Sequence, residues 1–174
     1  MLEVKGNIWQ FHKKDPLSAI VITTNGYVGG ASGRNTMGRG IAKEAAIRFP
    51  EFPLVLGSKI TEAGNHVHWI THWLPGYRFL TFPVKPTVGH YDGNNVVAHM
   101  RNRFKVGDAV PGWAMKADIG LIIQSLMELR GQTEGFNNNI YCPKFGCGWG
   151  ELKWENVKPL CAGLDDRFII CDFN

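Results

Sequence analysis

Apolar and polar positions along the chain change their spacing several times, and each spacing predicts a different element. The short apolar run LSAIVIT, at residues 17–23, predicts a central buried strand. Apolar stripes at helical spacing predict helices at residues 114–130 and at residues 38–49, the second of which Pro50 ends. The predicted buried stripe of the helix at residues 114–130 consists of Ile119, Ile122, Ile123, Leu126, Met127 and Leu129. The other predicted elements are strands at residues 2–9, 54–60, 67–73, 77–82, 140–142 and 167–172 and a helix at residues 154–164.

The order of these elements indicates the fold class. Strands that alternate with helices predict an α/β layer fold with a mostly parallel or mixed sheet. In such sheets, ligands bind at the carboxyl ends of the strands, in the loops that lead into helices. Residues 85–112 are rich in Gly, Asn and Pro and are assigned to no element, and Pro159 fits the last helix only near its first turn.

Composition limits the class of protein. The 174 residues suit one domain, 1–174, and the net charge of +4 fits a polyanionic small ligand or transient nucleic-acid contact but compels neither. The four cysteines form no C-x-x-C pair, the first residues do not resemble a signal peptide, and no window is apolar enough for a membrane span. We therefore predict a reducing, cytoplasmic setting without membrane contact.

Two glycine-rich loops, each between a strand and a helix, indicate a ligand site. The first is TTNGYVGGASGRNTMGRGIA, and the second is PKFGCGWGELKW. Bare backbone lets a ligand approach closely, and a helix N-terminus offers unpaired N–H groups. Two such loops predict an anion site, for instance for a diphosphate, although the glycines could also form only tight turns.

The common nucleotide motifs do not fit these loops. Gly33 and Gly38 have P-loop spacing, but Arg39 and Gly40 stand where Lys and Ser or Thr are required. No G-x-G-x-x-G opens a helix near the first strand. A kinase, an NTPase and a standard dinucleotide dehydrogenase are therefore disfavoured.

Several segments together resemble macro domains. They are GNIW, TTNG, MGRGIAKEAAIRFP, FPVKP and PKFGCGWGELKWENVKPL. The resemblance runs from about Val4 to the C-terminus and is to the terminal ADP-ribose glycohydrolase branch, which includes the antitoxin of the DarTG pair. It implies a three-layer α/β/α sandwich with a mixed central sheet and a cleft that binds ADP-ribose or an ADP-ribosylated macromolecule, with no separate cofactor.

The resemblance also implies which residues contact ADP-ribose. Asn7 and Ile8 match the motif at the adenine, which Phe173 could flank. Asn25 matches the asparagine near the distal ribose, with Asn35 as a rival because the loop is longer here. The residues that match the loops around the diphosphate and distal ribose are Met37, Gly38, Arg39, Gly40, Ile41, Phe145, Gly146, Cys147, Gly148, Trp149 and Gly150.

Lys85 in FPVKP matches the lysine of this branch that is proposed to attack the distal ribose. A neutral lysine can add to the anomeric carbon, which requires a lowered lysine pKa, whereas the alternative is a solvated lysine at the start of a loop. Gly150 stands where some members carry an acidic Asp. Glu151 could replace that acid, or it could only place charge near the following helix N-terminus.

Three functions are open at this stage. They are a glycohydrolase that removes terminal ADP-ribose from protein or nucleic acid, a module that binds ADP-ribose without turnover, and a phosphatase or deacylase acting on ADP-ribose 1″-phosphate or O-acyl-ADP-ribose. Arg101, Arg103 and Lys105 could contact nucleic acid or form only a solvated face.

A histidine cluster raises the question of a metal. His66, His68 and His72 have a spacing known from metal sites, but no Asp, Glu or Cys joins them locally. An exposed strand face is preferred, so no metal site is predicted.

Overall fold

A mixed sheet forms the centre of the computed structural model, which describes residues 1–71 and 76–173. Across the sheet, the strands are β1 (Leu2–Lys5), β8 (Phe168–Asp172), β7 (Ile140–Pro143), β2 (Ala19–Asn25), β4 (Phe79–Lys85) and β3 (Trp69–Ile70). The first five are parallel, and β3 is antiparallel to β4 at the edge. A separate antiparallel pair joins β5 (Val88–His90) to β6 (Ala109–Pro111). The predicted mixed sheet is thus confirmed.

Helices cover both faces of the sheet. One face carries α1 (Ile8–Lys14), α2 (Gly40–Arg48) and α3 (Phe52–Ala63), and the other carries α4 (Ile119–Gln132), α5 (Trp154–Val157) and the 3-10 helix Lys158–Gly163. Alternate residues of β2 serve the two faces: Ala19 and Val21 pack towards α4, and Ile20 and Ile22 pack towards α2 and α3. This arrangement is the predicted α/β/α sandwich.

The predicted strand at residues 54–60 is wrong, because this stretch lies in α3. Phe52, Leu56 and Ile60 recur every four residues and are all buried, which is the spacing of a helix. Pro53 lies in the first turn, where its missing N–H costs no hydrogen bond. The predicted strand at residues 67–73 forms only at β3, and residues 72–73 lie outside the described residues.

The predicted strand at residues 2–9 ends at Lys5, because a helix begins shortly afterwards. Asn7 is the N-cap of α1, and its side-chain oxygen accepts a hydrogen bond from the Trp9 N–H at 2.9 Å. Ile8 is fully buried in the core on the α2 and α3 face. The glycine and asparagine in GNIW therefore mark a boundary between elements.

The two later helices begin and end at other residues than predicted. Asp118 caps α4 by accepting a hydrogen bond from the Leu121 N–H at 2.6 Å, so α4 begins at Ile119. The helix predicted at residues 154–164 is α5 followed by a 3-10 helix with Pro159 in its first turn. The buried stripe of α4 consists of Ile122, Ser125, Leu126 and Leu129, whereas three residues predicted in it are exposed, namely Ile119, Ile123 and Met127.

Residues 88–115, most of which the sequence assigned to no element, form a small unit that we call the β5–β6 segment. Its two strands pair near its ends, and a 3-10 helix, Ala98–Arg103, lies between them. Its apolar side chains form a core cluster of their own, which comprises Val96, Val97, Met100, Val110, Ala114 and Met115. Among residues 1–71 and 76–173, no helix has the length and apolar character to cross a membrane.

Candidate functional site

A cleft of about 730 Å³ opens where the parallel strands end. Four strands contribute their last residue to its lining: Asn25 of β2, Lys85 of β4, Pro143 of β7 and Asp172 of β8. Both glycine-rich loops leave strands at this edge, so the structure brings the two loops together around one cleft. This is the edge at which open α/β sheets bind ligands.

The first glycine-rich loop leads into α2 at the wall of the cleft. Gly38, Arg39, Gly40 and Ile41 line the cleft, and Arg39, the N-cap of α2, makes no side-chain capping bond. The N–H groups of the first turn of α2 therefore lie beside the cleft without a side-chain acceptor at the cap, which favours an anionic ligand. Met37 is buried in the core beneath this loop.

The two asparagines of the first loop hold its backbone. The Asn25 side chain lines the cleft, but it donates to the Thr36 carbonyl at 2.7 Å and accepts from the Tyr27 N–H at 2.9 Å. Asn35 is buried and donates to the carbonyls of Asn25 and Tyr27 at 2.7 and 2.9 Å. Of the two, Asn25 is the one that reaches the cleft.

The second glycine-rich loop forms the opposite wall. Its cleft-lining residues are Gly146, Cys147, Gly148, Trp149 and Gly150. Gly146 has a φ of +68°, and a Cβ there would lie 2.9 Å from the side chains of Ala117 and Ile122, so both backbone and space require glycine. Phe145 points into the core, where its ring stacks on Phe82 at 4.2 Å. Burial raises the pKa of the Cys147 thiol, which argues against an activated nucleophile there.

Trp149 connects three parts of the cleft. The Arg39 guanidinium of the first loop lies 4.4 Å from the centre of its ring. The His99 ring, from the β5–β6 segment, meets it edge-on at 5.4 Å. Trp149 is still 47% exposed, so a face of this large ring remains open to a ligand.

Lys85 lies between the two loops and is half-buried. Its Nζ donates to the Trp149 carbonyl at 3.1 Å and to the Trp113 carbonyl at 3.5 Å. Burial lowers the lysine pKa from 10.5 to about 8, although the negative charge of Glu151 opposes this shift. A solvated lysine at a loop start does not fit this placement.

Glu151 follows the second loop but does not line the cleft. One of its carboxylate oxygens accepts a hydrogen bond from the Ala98 N–H at 2.6 Å, and the other lies 3.9 Å from the Lys116 Nζ. Its φ of +62° places it in the left-handed region. Its carboxylate is therefore held by the β5–β6 segment and the residue that follows it, and its predicted role as an acid stays a prediction.

The residues predicted at the adenine lie near one end of the cleft. The Gly6 N–H donates to the Asp172 carbonyl at 2.9 Å, so Asn7 follows a residue that is fixed to the cleft wall. Asn7 and Ile8 do not themselves line the cleft, whereas Phe173 lines it and is 46% exposed. Phe173 is therefore the member of this group that a ligand would meet first.

Several cleft residues were missed by sequence reasoning. Thr24 is buried in the lining, and its hydroxyl has no hydrogen-bond partner among the described residues. The TTNG segment pointed to the right loop but not to this side chain. Other missed lining residues are Thr23, Thr36, Ala42, Glu44, Val84, His99, Met100, Trp113, Pro143, Lys144, Cys171 and Asp172. The lining residues from the β5–β6 segment could not be identified from the sequence, because they belong to no recognisable motif.

The charge of the cleft favours an anionic ligand. Four cationic side chains and two anionic side chains line it, namely Arg39, Lys85, Arg103 and Lys144 against Glu44 and Asp172. The Lys144 Nζ lies 2.5 Å from a carboxylate oxygen of Asp172. The balance of these side chains is therefore positive at neutral pH, whether or not Lys85 carries its proton.

The three basic residues that could contact nucleic acid, Arg101, Arg103 and Lys105, have different surroundings in the structure. Arg103 is exposed and lines the cleft, whereas Arg101 is half-buried and its Nε donates to the Val96 carbonyl at 3.2 Å. Lys105 is exposed beyond the short helix. These three side chains therefore do not form one uniform surface.

The histidine cluster is held by local partners. The His66 Nδ1 lies 2.7 Å from a carboxylate oxygen of Glu128, and the His68 Nε2 lies 2.9 Å from the Gly64 carbonyl. His72 lies outside the described residues. Within the described part of the chain, no group of three His, Cys, Asp or Glu side chains is placed to hold a metal ion, and all four cysteines are free thiols.

Comparison with solved structures finds several proteins whose fold is similar to that of this chain. The chain is similar to the macrodomain of Mycobacterium tuberculosis DarG, with 20% identity, a TM-score of 0.61 and coverage of 90% of this chain and 89% of that one. For the macrodomain of Thermus aquaticus DarG, the identity is 16%, the TM-score is 0.65 and the coverage is 99% and 97%. Thermosipho africanus DarTG in complex with ADP-ribose gives 15% identity and a TM-score of 0.68, with coverage of 98% of this chain and 41% of that one. No protein-family model matches, and neither does any curated protein.

Proposed function

The chain has the macrodomain fold, and from its cleft we propose that it binds ADP-ribose and hydrolyses the bond between ADP-ribose and an attached group. The volume of about 730 Å³ lies within the range of small-molecule sites. The positive balance of lining charges suits a diphosphate. The DarTG structure that shares this fold is a complex with ADP-ribose, which supports the same ligand here.

In this proposal, the diphosphate lies between the two glycine-rich loops. The first turn of α2 directs N–H groups towards it, and the bare backbone from Gly146 to Gly150 lets its oxygens approach the opposite wall. The adenine then lies towards Phe173, and the distal ribose lies towards Asn25 and Lys85, at the ends of β2 and β4.

The observation that carries the hydrolase proposal is the desolvated lysine in the cleft. With a pKa of about 8, roughly 9% of Lys85 is neutral at pH 7, whereas a lysine at 10.5 would be about 0.03% neutral. Only the neutral amine has a lone pair with which to attack carbon. The lowered pKa therefore raises the reactive fraction roughly 300-fold.

The proposed hydrolysis has two steps. The Lys85 nitrogen forms a bond to the anomeric carbon as the bond from that carbon to the attached group breaks, and the attached group leaves with the proton that the amine releases. Water then adds to the same carbon, the carbon–nitrogen bond breaks, and free ADP-ribose and the neutral lysine are restored. The lysine thus splits one displacement into two.

A second candidate function is ADP-ribose binding without turnover. It is favoured by the position of Glu151, whose carboxylate is engaged by the Ala98 N–H and does not line the cleft. Held in this way, Glu151 is not placed to protonate a leaving group in the cleft. The two functions share the ligand and differ only in the role of Lys85.

Two measurements test these functions in order. Calorimetric titration with ADP-ribose, with AMP and NAD as comparisons, should give clear binding of ADP-ribose and much weaker binding of AMP. Turnover of an ADP-ribosylated substrate is then compared in the wild type, in Lys85→Met and in Lys59→Met, a control because Lys59 is exposed on α3. Loss of turnover with intact binding in Lys85→Met alone supports the hydrolase. Equal turnover in both variants contradicts the role of Lys85, and absence of ADP-ribose binding contradicts both functions.

The nature of the attached group is a separate question. Arg103 at the cleft and Lys105 beyond it place positive charge on the side contributed by the β5–β6 segment. We extend the proposal to a nucleic-acid substrate, whose phosphates such charges would attract. An ADP-ribosylated protein is the alternative, and side-by-side turnover of the two substrates at two salt concentrations decides between them.

A further inference from the structure

The β5–β6 segment supplies a third wall of the cleft, beside the two glycine-rich loops. His99, Met100, Arg103 and Trp113 of this segment line the cleft. The first three lie on the 3-10 helix Ala98–Arg103, so the position of this short helix decides where they stand. The segment buries apolar side chains in a cluster of its own, and separate contacts join it to the rest of the chain, among them the hydrogen bond from the Lys85 Nζ to the Trp113 carbonyl.

Glu151 provides one of those contacts at the start of the short helix. Its carboxylate accepts the Ala98 N–H at 2.6 Å, a short hydrogen bond to a charged acceptor. Its other carboxylate oxygen lies 3.9 Å from the Lys116 Nζ, next to the end of the segment. One side chain therefore joins the second glycine-rich loop to both the helix and the end of the β5–β6 segment.

The backbone conformation of Glu151 indicates that its side chain has a role at this position. It is the one non-glycine residue with a left-handed φ among residues 1–71 and 76–173. Such a backbone costs free energy for a residue with a Cβ, and glycine would adopt it without that cost. A strained residue persists where its surroundings hold it, and here the Ala98 N–H and Lys116 hold the carboxylate.

We propose that Glu151 is a positioning residue that holds the 3-10 helix Ala98–Arg103 against the cleft through the Ala98 N–H. The helix in turn brings His99 to the edge of Trp149, at 5.4 Å, and places Arg103 in the lining. The part of this proposal that concerns ligand binding rests on the proposed function. The part that concerns the helix does not, because the hydrogen bond is present without a ligand.

Three variants separate the carboxylate from the backbone. Glu151→Gly removes the side chain and also relieves the left-handed backbone, so the variant should fold. Glu151→Gln keeps an oxygen that can accept the Ala98 N–H. Glu155→Gln is the control, because Glu155 is exposed and lies 3.8 Å from Lys153, away from the segment.

Hydrogen exchange of the ligand-free protein gives the first readout. In Glu151→Gly, we expect exchange at residues 96–103 to be about tenfold faster or more, with the rest of the chain unchanged. Glu151→Gln should stay within about threefold of the wild type, and Glu155→Gln should match it. Unchanged exchange at residues 96–103 in Glu151→Gly would overturn the proposal, whether or not ADP-ribose binds.

Calorimetry and turnover give the second readout. ADP-ribose affinity should fall about tenfold in Glu151→Gly and recover in Glu151→Gln, which is the rescue that a positioning role requires. If the wild type binds no ADP-ribose while exchange responds as expected, the proposed function fails and the positioning role stands. If Glu151→Gln loses turnover while its exchange and binding match the wild type, Glu151 acts as an acid in the chemistry, and its assignment as a positioning residue is overturned.

Discussion

Replacing Lys85 with Met tests the lowered lysine pKa without any substrate. The pKa is about 8 in the folded chain and 10.5 for an ordinary lysine, so the unfolded chain binds more protons between these two values. The free energy of unfolding of the wild type therefore rises with pH in this window, at about 1.4 kcal/mol per pH unit for this group. Over the whole window, the gain amounts to about 3 kcal/mol. Below pH 8 the folded state carries the full cost of a desolvated ammonium, and above pH 10.5 that cost is gone.

The assay is urea denaturation followed by tryptophan fluorescence, from pH 7 to pH 10.5. The useful quantity is the free energy of unfolding of the wild type minus that of Lys85→Met, because other titrating groups cancel in the difference. Lys85→Met should be the more stable protein at pH 7, and its advantage should shrink by about 3 kcal/mol towards pH 10.5. Lys59→Met, on the exposed side of α3, is the control for removing a lysine that does not line the cleft.

A difference between wild type and Lys85→Met that stays flat from pH 8 to pH 10.5 would refute this reasoning. It would mean that Lys85 keeps an ordinary pKa despite its place between Trp113 and Trp149. The neutral amine would then be as rare at pH 7 as in a solvated lysine, and ADP-ribose binding without turnover would become the better proposal.

Three further predictions concern other residues of the chain. In Gly112→Ala the new Cβ would lie 1.6 Å from the Pro86 carbonyl oxygen, so thermal unfolding should show that the free energy of unfolding falls by about 3 kcal/mol or more. Gly131→Ala is the control, because Gly131 lies on α4 with open space around it, and its free energy of unfolding should rise by about 0.5 kcal/mol. Trp149→Ala removes the ring that joins both loops and the β5–β6 segment, and calorimetry should show roughly tenfold weaker ADP-ribose binding with little change in melting temperature. Lys105→Glu should slow turnover of a nucleic-acid substrate at low salt and leave the affinity for free ADP-ribose unchanged; equal loss in both assays would count against nucleic acid.

Much of the fold could be predicted, because its central strands are short, apolar and bounded by turn residues. The strand predicted at residues 17–23 corresponds to β2, which begins and ends two residues later, at Ala19 and Asn25, and nearly every side chain in β2 is buried. The failure at α3 has a physical cause: a helix packed on a sheet through Phe52, Leu56 and Ile60 also carries the run LVL, and a short apolar run fits a strand equally well. The β5–β6 segment could not be predicted, because Gly, Asn and Pro residues interrupt its apolar side chains and no regular helical or strand spacing remains.

The cleft was predictable where bare backbone lines it. Two glycine-rich loops at strand ends must meet at one edge of a parallel sheet, so Gly40 and Gly148 could be placed in one cleft from the sequence. Residues that act through a side chain were harder to predict. The hydroxyl of Thr24 stands out only in the structure, where it is buried without a hydrogen-bond partner among the described residues, and His99 reaches Trp149 only through the packing of the segment.

The separate core of the β5–β6 segment has a consequence for thermodynamics. A unit that buries its apolar side chains mainly among themselves can detach without unfolding, so it should open cooperatively at a free energy below that of the whole chain. A ligand that needs all three walls then binds only the closed molecules, and its observed dissociation constant is the intrinsic one divided by their fraction. An excluded osmolyte, which favours the closed form, should tighten binding in a calorimetric titration although no residue that touches the ligand has changed.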